Sequence, residues 1–439
     1  MQRIDYPRVG ETLYRDTLPN GLRLTVAVKP GYTRAFAAFT TNYGGADRRF
    51  RFGGEFIDTP AGVAHFLEHK MFDMPDGENA LAVLASNGAE PNAYTSSGVT
   101  SYHFESTENF YENLRMLLRF VSTPHFTDES VAKEQGIIGQ EIRMCEDNPD
   151  YVIFYALMRC LYARHPIRDN VAGSVESIAL ITPETLYRCH QIFYNPGNMT
   201  LAVAGDVDPE RVRAVALEML PAEAGEVPGR DYDGGEPEGL LPAQKRFTRA
   251  MAVSAPQNLI GFKLTPNLRG EEALRQKLVA GLAAACLYGP SSPFYARLYA
   301  EGLLNSDFST DLESAAGTVT FLAGGESRDP ERVLSELLAE AAAAAKNGLD
   351  AARFTRCARA AYGARVRSLN SFAGLCASFS EADFGGYNAL DAFAVSETIT
   401  AEELRRFIAE NLTPERAAMS VITPLAAEAD AQKEADADA

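Results

Sequence analysis

Apolar residues recur along this chain with two different spacings, and each spacing predicts a different element. Short apolar and β-branched runs at residues 22–28 and 35–41 are bounded by Gly and Pro, which predicts two adjacent strands. Longer stretches with helical spacing predict helices at residues 109–122, 128–145, 151–164 and 183–193. The mixture of the two elements predicts an α+β fold.

Local signals divide the region between those strands and the first long helix. A loop is predicted at a group of four glycines, Gly44, Gly45, Gly53 and Gly54. The pair Thr59-Pro60 predicts an N-cap and a first turn for a helix that carries residues 65–69. Two runs at 92–96 and 100–104 then predict a hairpin. Strand alternation gives His103 no metal partner nearby, so we expect a partly buried strand residue there.

The pattern restarts after residues 222–242, a segment that is rich in Gly, Pro and Asp and lacks periodicity. This composition predicts a linker. A second set of elements is predicted beyond it, with strands at 259–264, 305–312 and 318–323 and helices at 271–287, 293–301, 330–345 and 351–368.

The close of each half repeats one short pattern. Residues 182–203 begin Thr-Pro-Glu-Thr-Leu, residues 400–421 begin Thr-Ala-Glu-Glu-Leu, and each continues with a Phe, an Asn, a Met and a Val in that order. Such self-similarity indicates a duplicated unit. We therefore predict two homologous α+β domains, with these boundaries: domains 1–221 and 243–425, linker 222–242 and a disordered acidic tail 426–439.

Composition narrows the class of partner. The chain has 439 residues, enough for two domains with cores of their own. Its net charge of −18 argues against nucleic acid, because phosphates would be repelled. No apolar run reaches the roughly 18 residues that a membrane helix needs, so no membrane association is predicted.

The cysteines and the first residues bear on the compartment. The six cysteines are scattered without a Cys-x-x-Cys pair, which predicts reduced thiols rather than a disulfide framework. Residues 1–7 contain neither the apolar stretch nor the cleavage site of a signal peptide. We therefore expect a cytoplasmic protein.

The segment 65–69 reads His-Phe-Leu-Glu-His and predicts half of a zinc site. Residues four apart lie on one face of a helix, so His65 and His69 can share an ion. Catalytic zinc takes three protein ligands, so a third must come from elsewhere. Glu68 is poorly placed as that ligand but suits the general base that activates water. The order is that of inverzincins, and a surface helix with this pattern by chance is the alternative.

The second of the long helices carries two further acids. Glu134 and Glu141 are seven residues apart, two turns along one face. Helical carboxylates are usually solvated, but these interleave with Ile137, Ile138 and Ile142, which predicts that this part of the helix faces the interior. A metal or His partner is therefore expected, because unpaired buried carboxylates are costly.

These segments together resemble the insulinase and pitrilysin zinc peptidase family, which includes the mitochondrial processing peptidase. The resemblance rests on the run 62–72, on Asn-Ala-Tyr-Thr at 92–95, on the stretch 134–141 and on the duplicated halves. It covers most of residues 15–425 and points to a bacterial insulinase-family subgroup. It implies two homologous domains, each an antiparallel-rich sheet packed by helices, which form a clamshell with a catalytic first half and an inactive second half.

The resemblance also implies roles for single residues. His65, His69 and Glu141 would hold Zn²⁺. Glu68 would be the catalytic base that activates water, and Glu134 would be a supporting catalytic carboxylate beside the ligands.

The implied substrate is a peptide or a short unfolded polypeptide. It would add as a strand to an exposed sheet edge at Asn92 and Ala93, which reads backbone more than side chain. The implied function is a zinc-dependent endopeptidase. A non-catalytic peptide-binding or scaffolding subunit of the same fold is the alternative, and the intact histidine motif counts against it. A second alternative is a zinc hydrolase that acts on a non-peptide amide. It shares the metal, and only the edge strand and the closed chamber that the clamshell implies count against it.

One departure from the family pattern bears on partners. Members that act alone carry an Arg and a Tyr near a Gly-Leu-x-Tyr sequence in the second half, which hold the substrate carbonyl and the developing oxyanion. Here Asn305 stands where that Tyr is expected, and Arg297, Tyr295 and Tyr299 have the wrong spacing. The resemblance therefore implies a second insulinase-family subunit that supplies these groups, in a heterodimer or a homodimer.

Overall fold

The computed structural model describes residues 1–232, 234 and 238–425. The tail predicted at 426–439 lies outside the described residues. The described chain forms two compact units, each drawn from three separate segments. Among the described residues, unit 1 comprises 1–142, 170–232, 234 and 364–391, and unit 2 comprises 143–169, 238–363 and 392–425.

The strands are numbered in chain order. They are β1 Gln2–Tyr6, β2 Glu11–Thr17, β3 Arg23–Val28, β4 Ala35–Thr41, β5 Arg49–Phe52, β6 Glu55–Asp58, β7 Ala89–Thr95, β8 Thr100–Ser106, β9 Met199–Gly205, β10 Gly229–Arg230, β11 Arg246–Met251, β12 Gln257–Lys263, β13 Ser309–Ala315, β14 Thr318–Glu326 and β15 Ala417–Pro424.

The helices are numbered in the same way. They are α1 Val63–Lys70, α2 Ala80–Ser86, α3 Phe110–Ser122, α4 Asp128–Glu146, α5 Pro149–Leu161, α6 Val175–Ile178, α7 Pro183–Phe193, α8 Pro209–Met219, α9 Gly270–Tyr288, α10 Pro293–Ala300, α11 Pro330–Asn347, α12 Ala351–Ser368, α13 Phe372–Gly385, α14 Ala392–Glu397 and α15 Ala401–Asn411. Among the described residues, none of these helices is both long enough and apolar enough to cross a membrane.

The main sheets of the two units share one topology. Unit 1 contains the order β1-β2-β3-β9-β4-β8-β7, and unit 2 contains the order β11-β15-β12-β14-β13. In unit 1, β9 pairs parallel with β3 and antiparallel with β4. In unit 2, β15 pairs parallel with β11 and antiparallel with β12. The predicted α+β fold with two homologous domains, each an antiparallel-rich sheet packed by helices, is therefore confirmed.

The two units exchange one helix each. Helix α13, from the second half of the sequence, packs on β9 and β4 in unit 1. Helix α5, from the first half, packs on β15 and β12 in unit 2, where Leu157 and Leu161 join the core with Ala418. These packing units are thus discontinuous in sequence. The homologous domain boundaries at 221 and 242 stay a prediction.

The predicted adjacency of the first two apolar strands is wrong. Strand β9, buried along its whole length, lies between β3 and β4 and pairs with both. The strand that separates β3 from β4 comes from a distant part of the chain. The spacing of apolar residues within one segment cannot predict such a pairing.

The predicted start of α1 is also wrong. The N-cap is Gly62 rather than Thr59, and it has φ +96° without a side-chain cap. A Cβ at Gly62 would lie 2.5 Å from the carbonyl oxygen of Ala172. Close approach and backbone conformation therefore select glycine here in place of a capping hydroxyl.

The predicted glycine loop contains a small hairpin. Strands β5 and β6 pair across Gly53 and Gly54, whose positive φ angles make the turn. Part of the predicted linker adds a third strand, because β10 pairs with β5. Arg230 of β10 also pairs with the fully buried carboxylate of Asp47, with Nε 3.1 Å from Oδ1.

Candidate metal centre

Helix α1 presents three polar side chains on one face. Four apolar residues of the helix, Val63, Ala64, Phe66 and Leu67, are buried in the core of unit 1. Because a helix turns by about 100° per residue, burial of that face leaves His65, Glu68 and His69 together on the other. All three are half-buried, and the two imidazole centroids are 4.6 Å apart.

Helix α4 brings two carboxylates to the same place. Ile138 and Ile142 are buried and fix the helix against the core. The expectation that Ile137 also faces the interior is wrong, because its side chain is 46% exposed. Ile137 is three residues from Glu134 and four from Glu141, so it lies on the carboxylate face rather than the buried one.

His65, His69 and Glu141 converge, as the family resemblance implies. One ligand atom from each lies within 4.8 Å of the others. Nε2 of His65 is 3.5 Å from Oε1 of Glu141, and Nε2 of His69 is 3.6 Å from Oε2 of Glu141. Ligand atoms around tetrahedral zinc lie about 3.4 Å apart when each bond is about 2.1 Å long. The three side chains therefore fit a zinc ion without large movement.

The electrostatics of the three residues suit a cation. Burial alone would lower the pKa of His69, but the hydrogen bond with Glu134 and the charges of the nearby carboxylates raise it above the ordinary value. The hydrogen bond from His65 lowers the pKa of Glu141, against the opposing effect of burial. Glu141 is therefore ionised at neutral pH and ready to act as a ligand.

Glu134 orients His69 through the far side of the ring. Its Oε1 lies 3.0 Å from Nδ1 of His69, so a proton on Nδ1 leaves Nε2 free to face Glu141. The other carboxylate oxygen is 4.0 Å from the ammonium of Lys70, which is 2% exposed and also contacts Asp73. Nδ1 of His65 is buried without a hydrogen-bond partner among the described residues, so a carboxylate contacts the Nδ1 atom of His69 but not that of His65.

Glu68, the predicted base, is held from the sheet rather than from α4. The hydroxyl of Thr95, at the end of β7, donates a hydrogen bond of 2.8 Å to Oε2 of Glu68. This contact links α1 to the hairpin of β7 and β8, two residues from the predicted substrate edge at Asn92 and Ala93. The contacts made by Thr95 and Lys70 were not predicted from the sequence, although the two residues lie in the motifs at 92–95 and 62–72.

The predicted substrate edge is an edge in the structure. Strand β7 ends the seven-stranded order and, among the described strands, pairs only with β8. Asn92 is exposed, and its Oδ1 accepts a hydrogen bond of 2.8 Å from the backbone N–H of Ala93. On the neighbouring strand, His103 stacks on Phe36 at 5.2 Å and is not one of the converging residues, as expected.

The second-half residues considered for oxyanion binding have contacts within unit 2. Arg297 Nη2 lies 2.8 Å from Glu336 Oε2, and the hydroxyl of Tyr295 donates to the backbone oxygen of Asn305. The amide of Asn305 donates to Glu326 at 3.1 Å. The side chain at position 305 is therefore an amide bound to a carboxylate, where the resemblance implies the hydroxyl of a Tyr.

Two family models match the chain in succession. The model of insulinase, peptidase family M16, matches residues 53–174, and the model of the peptidase M16 inactive domain matches residues 180–361. The uncharacterized zinc protease YmfH of Bacillus subtilis is 35% identical over 428 residues, which cover 96% of this chain and 99% of that protein. The chain belongs to the insulinase family.

Solved structures agree with this membership. An M16-like peptidase from Alicyclobacillus acidocaldarius is 32% identical, with a TM-score of 0.90 over 96% of this chain and 99% of that one. A protease from Helicobacter pylori has the same fold at 17% identity, with a TM-score of 0.80 over 94% of this chain and 99% of that one. The predicted enzyme class, a zinc metallopeptidase, and the predicted cofactor, Zn²⁺, are confirmed.

Proposed function

We propose that this insulinase-family member is a zinc-dependent endopeptidase that cleaves peptides or short unfolded polypeptides held as an added strand on β7. The observation that carries the proposal is the convergence of His65, His69 and Glu141 at the spacing of tetrahedral zinc ligands, with Glu68 on the same helix face. A bound zinc ion supplies Lewis-acid polarisation of a carbonyl oxygen and makes water more acidic.

The side chains of the protein do the remaining work. Glu68 takes a proton from the attacking water and returns it to the leaving amine, which is general base and then general acid catalysis. Glu134 holds the proton on Nδ1 of His69 and keeps the ring in its ligand orientation. Both roles follow from the positions of Glu68 and Glu134 described for the metal centre.

The strand β7 is suited to hold an extended substrate. The hairpin of β7 and β8 closes with a hydrogen bond from the N–H of Ser96 to the carbonyl of Val99. From this pair onward, hydrogen-bonded pairs of facing residues alternate with pairs that are not hydrogen-bonded to each other. This alternation directs the backbone of Ala93 away from β8. It does the same for Pro91, which has no N–H to lose. A peptide that replaces Asn92 Oδ1 on the N–H of Ala93 would continue the ladder.

We further propose that the chain acts as the zinc-bearing subunit of a heterodimer, with a related subunit that supplies a cation and a hydroxyl for the oxyanion. The proposal is supported by Asn305 in place of the expected Tyr, and by the pairing of Arg297 with Glu336. A cytoplasmic location is also proposed. Its support is that the structure pairs none of the six cysteines, all of which lie within the described residues, in a disulfide with another, which suits a reducing compartment.

The test compares Glu68→Gln with His65→Ala. Glu68→Gln should retain zinc in elemental analysis and lose turnover of an unfolded polypeptide, whereas His65→Ala should lose both. A Glu68→Gln enzyme with wild-type turnover would refute the assigned base. A wild-type chain that binds peptides but cleaves none, alone or with the proteins that co-purify with it, would favour the non-catalytic binding subunit.

The heterodimer needs a separate measurement. We expect the purified chain alone to cleave slowly, and we expect activity to rise by about a hundredfold when a co-purifying subunit is restored, since one oxyanion donor contributes that much. Ordinary turnover by the isolated monomer would contradict the proposed partner while leaving the peptidase assignment intact.

A further inference from the structure

Thr95 links the predicted catalytic base to the predicted substrate strand. Its Oγ1 donates to Glu68 Oε2 at 2.8 Å and lies 3.4 Å from the Thr100 hydroxyl on the facing strand. Side chains alternate between the two faces of a strand, so Thr95 and Ala93 point to the same face of β7. Both are half-buried on that face, whereas Asn92 and Tyr94, which point to the opposite face, are exposed.

The hairpin that carries Thr95 is fixed at several points. Thr100 Oγ1 donates to the backbone oxygen of Tyr43 at 2.9 Å. The backbone N–H of Gly45 donates to the Ser96 carbonyl, also at 2.9 Å. A Cβ at Gly44 would lie 2.5 Å from the same carbonyl, so the neighbouring loop packs against the hairpin without space for a side chain. These contacts hold the Thr95 hydroxyl at a set position relative to α1.

We infer that Thr95 is a positioning residue that fixes the carboxylate of Glu68. A hydroxyl that donates to Oε2 restricts rotation of the carboxylate and leaves both lone pairs of Oε1 available to accept a proton from water. Because Ala93 is two residues away on the same strand, substrate pairing and base orientation depend on one rigid segment. The inference rests on the proposed peptidase function and adds a residue to which sequence analysis assigned no role.

The test uses two substitutions at Thr95 and a control elsewhere in the same sheet. Thr95→Val keeps the branched shape and removes the donor, whereas Thr95→Ser keeps the donor. Thr12→Val is the matched control, because Thr12 Oγ1 also donates to a carboxylate, Oδ1 of Asp5 at 2.9 Å, at an exposed place. Turnover of an internally quenched peptide, zinc content and the unfolding temperature are measured for all variants, in preparations that retain the co-purifying subunit.

We expect Thr95→Val to lower kcat by about 10- to 100-fold, the loss typical of a hydrogen bond to a charged group. KM and zinc content should stay near wild type, because the contact acts on the base rather than on binding. Thr95→Ser should recover most of the lost kcat, and Thr12→Val should match wild type. Thr95→Ala gives the same comparison if Val unfolds the hairpin.

Three outcomes would overturn the inference alone. They are a wild-type kcat in Thr95→Val, a loss confined to KM or zinc content, and a Thr95→Ser variant as slow as Thr95→Val. A fully active Glu68→Gln variant, or a wild-type preparation that cleaves no peptide, would instead overturn the proposed function and the inference with it. The failure of Thr95 and the failure of the peptidase assignment are therefore distinguishable.

Discussion

Replacing Glu134 with Gln should weaken zinc binding without removing a ligand. The Glu134 side chain is 14% exposed and lies 3.0 Å from Nδ1 of His69, a geometry in which a hydrogen bond to a charged group contributes about 1.5–3 kcal/mol. Since 1.36 kcal/mol is a factor of ten, the zinc dissociation constant should rise by about 10- to 100-fold. Gln retains one acceptor, so Glu134→Ala should reach the upper end.

The assay is competition for zinc with a chromophoric chelator at fixed pH. Glu129→Gln is the matched control, because Glu129 lies on the same helix and is exposed. Its zinc affinity should equal that of wild type. Equal zinc affinity in Glu134→Gln and wild type, or an equal loss in both variants, would refute the view that Glu134 acts by orienting His69.

Two further predictions concern stability. Burial lowers the pKa of His190 to about 4, so the unfolded chain takes up this proton at a higher pH than the folded chain does. The free energy of unfolding should therefore be highest above pH 6.5 and should fall by about 3 kcal/mol as the pH drops from 6.5 towards 4. Denaturant titrations across this range should show the decline, and His190→Gln should flatten it; an unchanged pH profile would contradict the assignment. Gly62→Ala should destabilise the folded chain by about 2 kcal/mol or more, because Ala must adopt φ +96° and its Cβ would clash with the carbonyl of Ala172. Thermal unfolding measures this loss, and a midpoint equal to that of wild type would contradict the prediction.

Periodicity and local motifs were enough to predict much of the first half. Helices α3, α4 and α7 match their predicted bounds closely, because each has an apolar face that repeats over several turns. The residues of the metal group were found because His65 and His69 share a turn and because the resemblance identified Glu141. The repeated Thr-x-Glu motif corresponds to real N-caps, at Thr182 and Thr400.

The errors arise where the deciding contact is distant in sequence. Thr95 contacts Glu68 across 27 residues, and no periodicity reports that a hydroxyl at a strand end meets a helical carboxylate. The cap at Gly62 depends on a carbonyl at Ala172, far along the chain. Strand β9 inserts between β3 and β4 for the same reason, since its pairing joins segments that local spacing treats separately.

The exchanged helices have a consequence for any attempt to divide the molecule. A fragment that stops in the segment 222–242 would lack α13, and the buried Asp383 of that helix would no longer accept a hydrogen bond from Thr200 on β9. The complementary fragment would lack α5 and expose the sheet that α5 covers. Fragments made by cleaving the polypeptide there should stay associated, and genes encoding the two pieces separately should yield folded protein only when they are co-expressed.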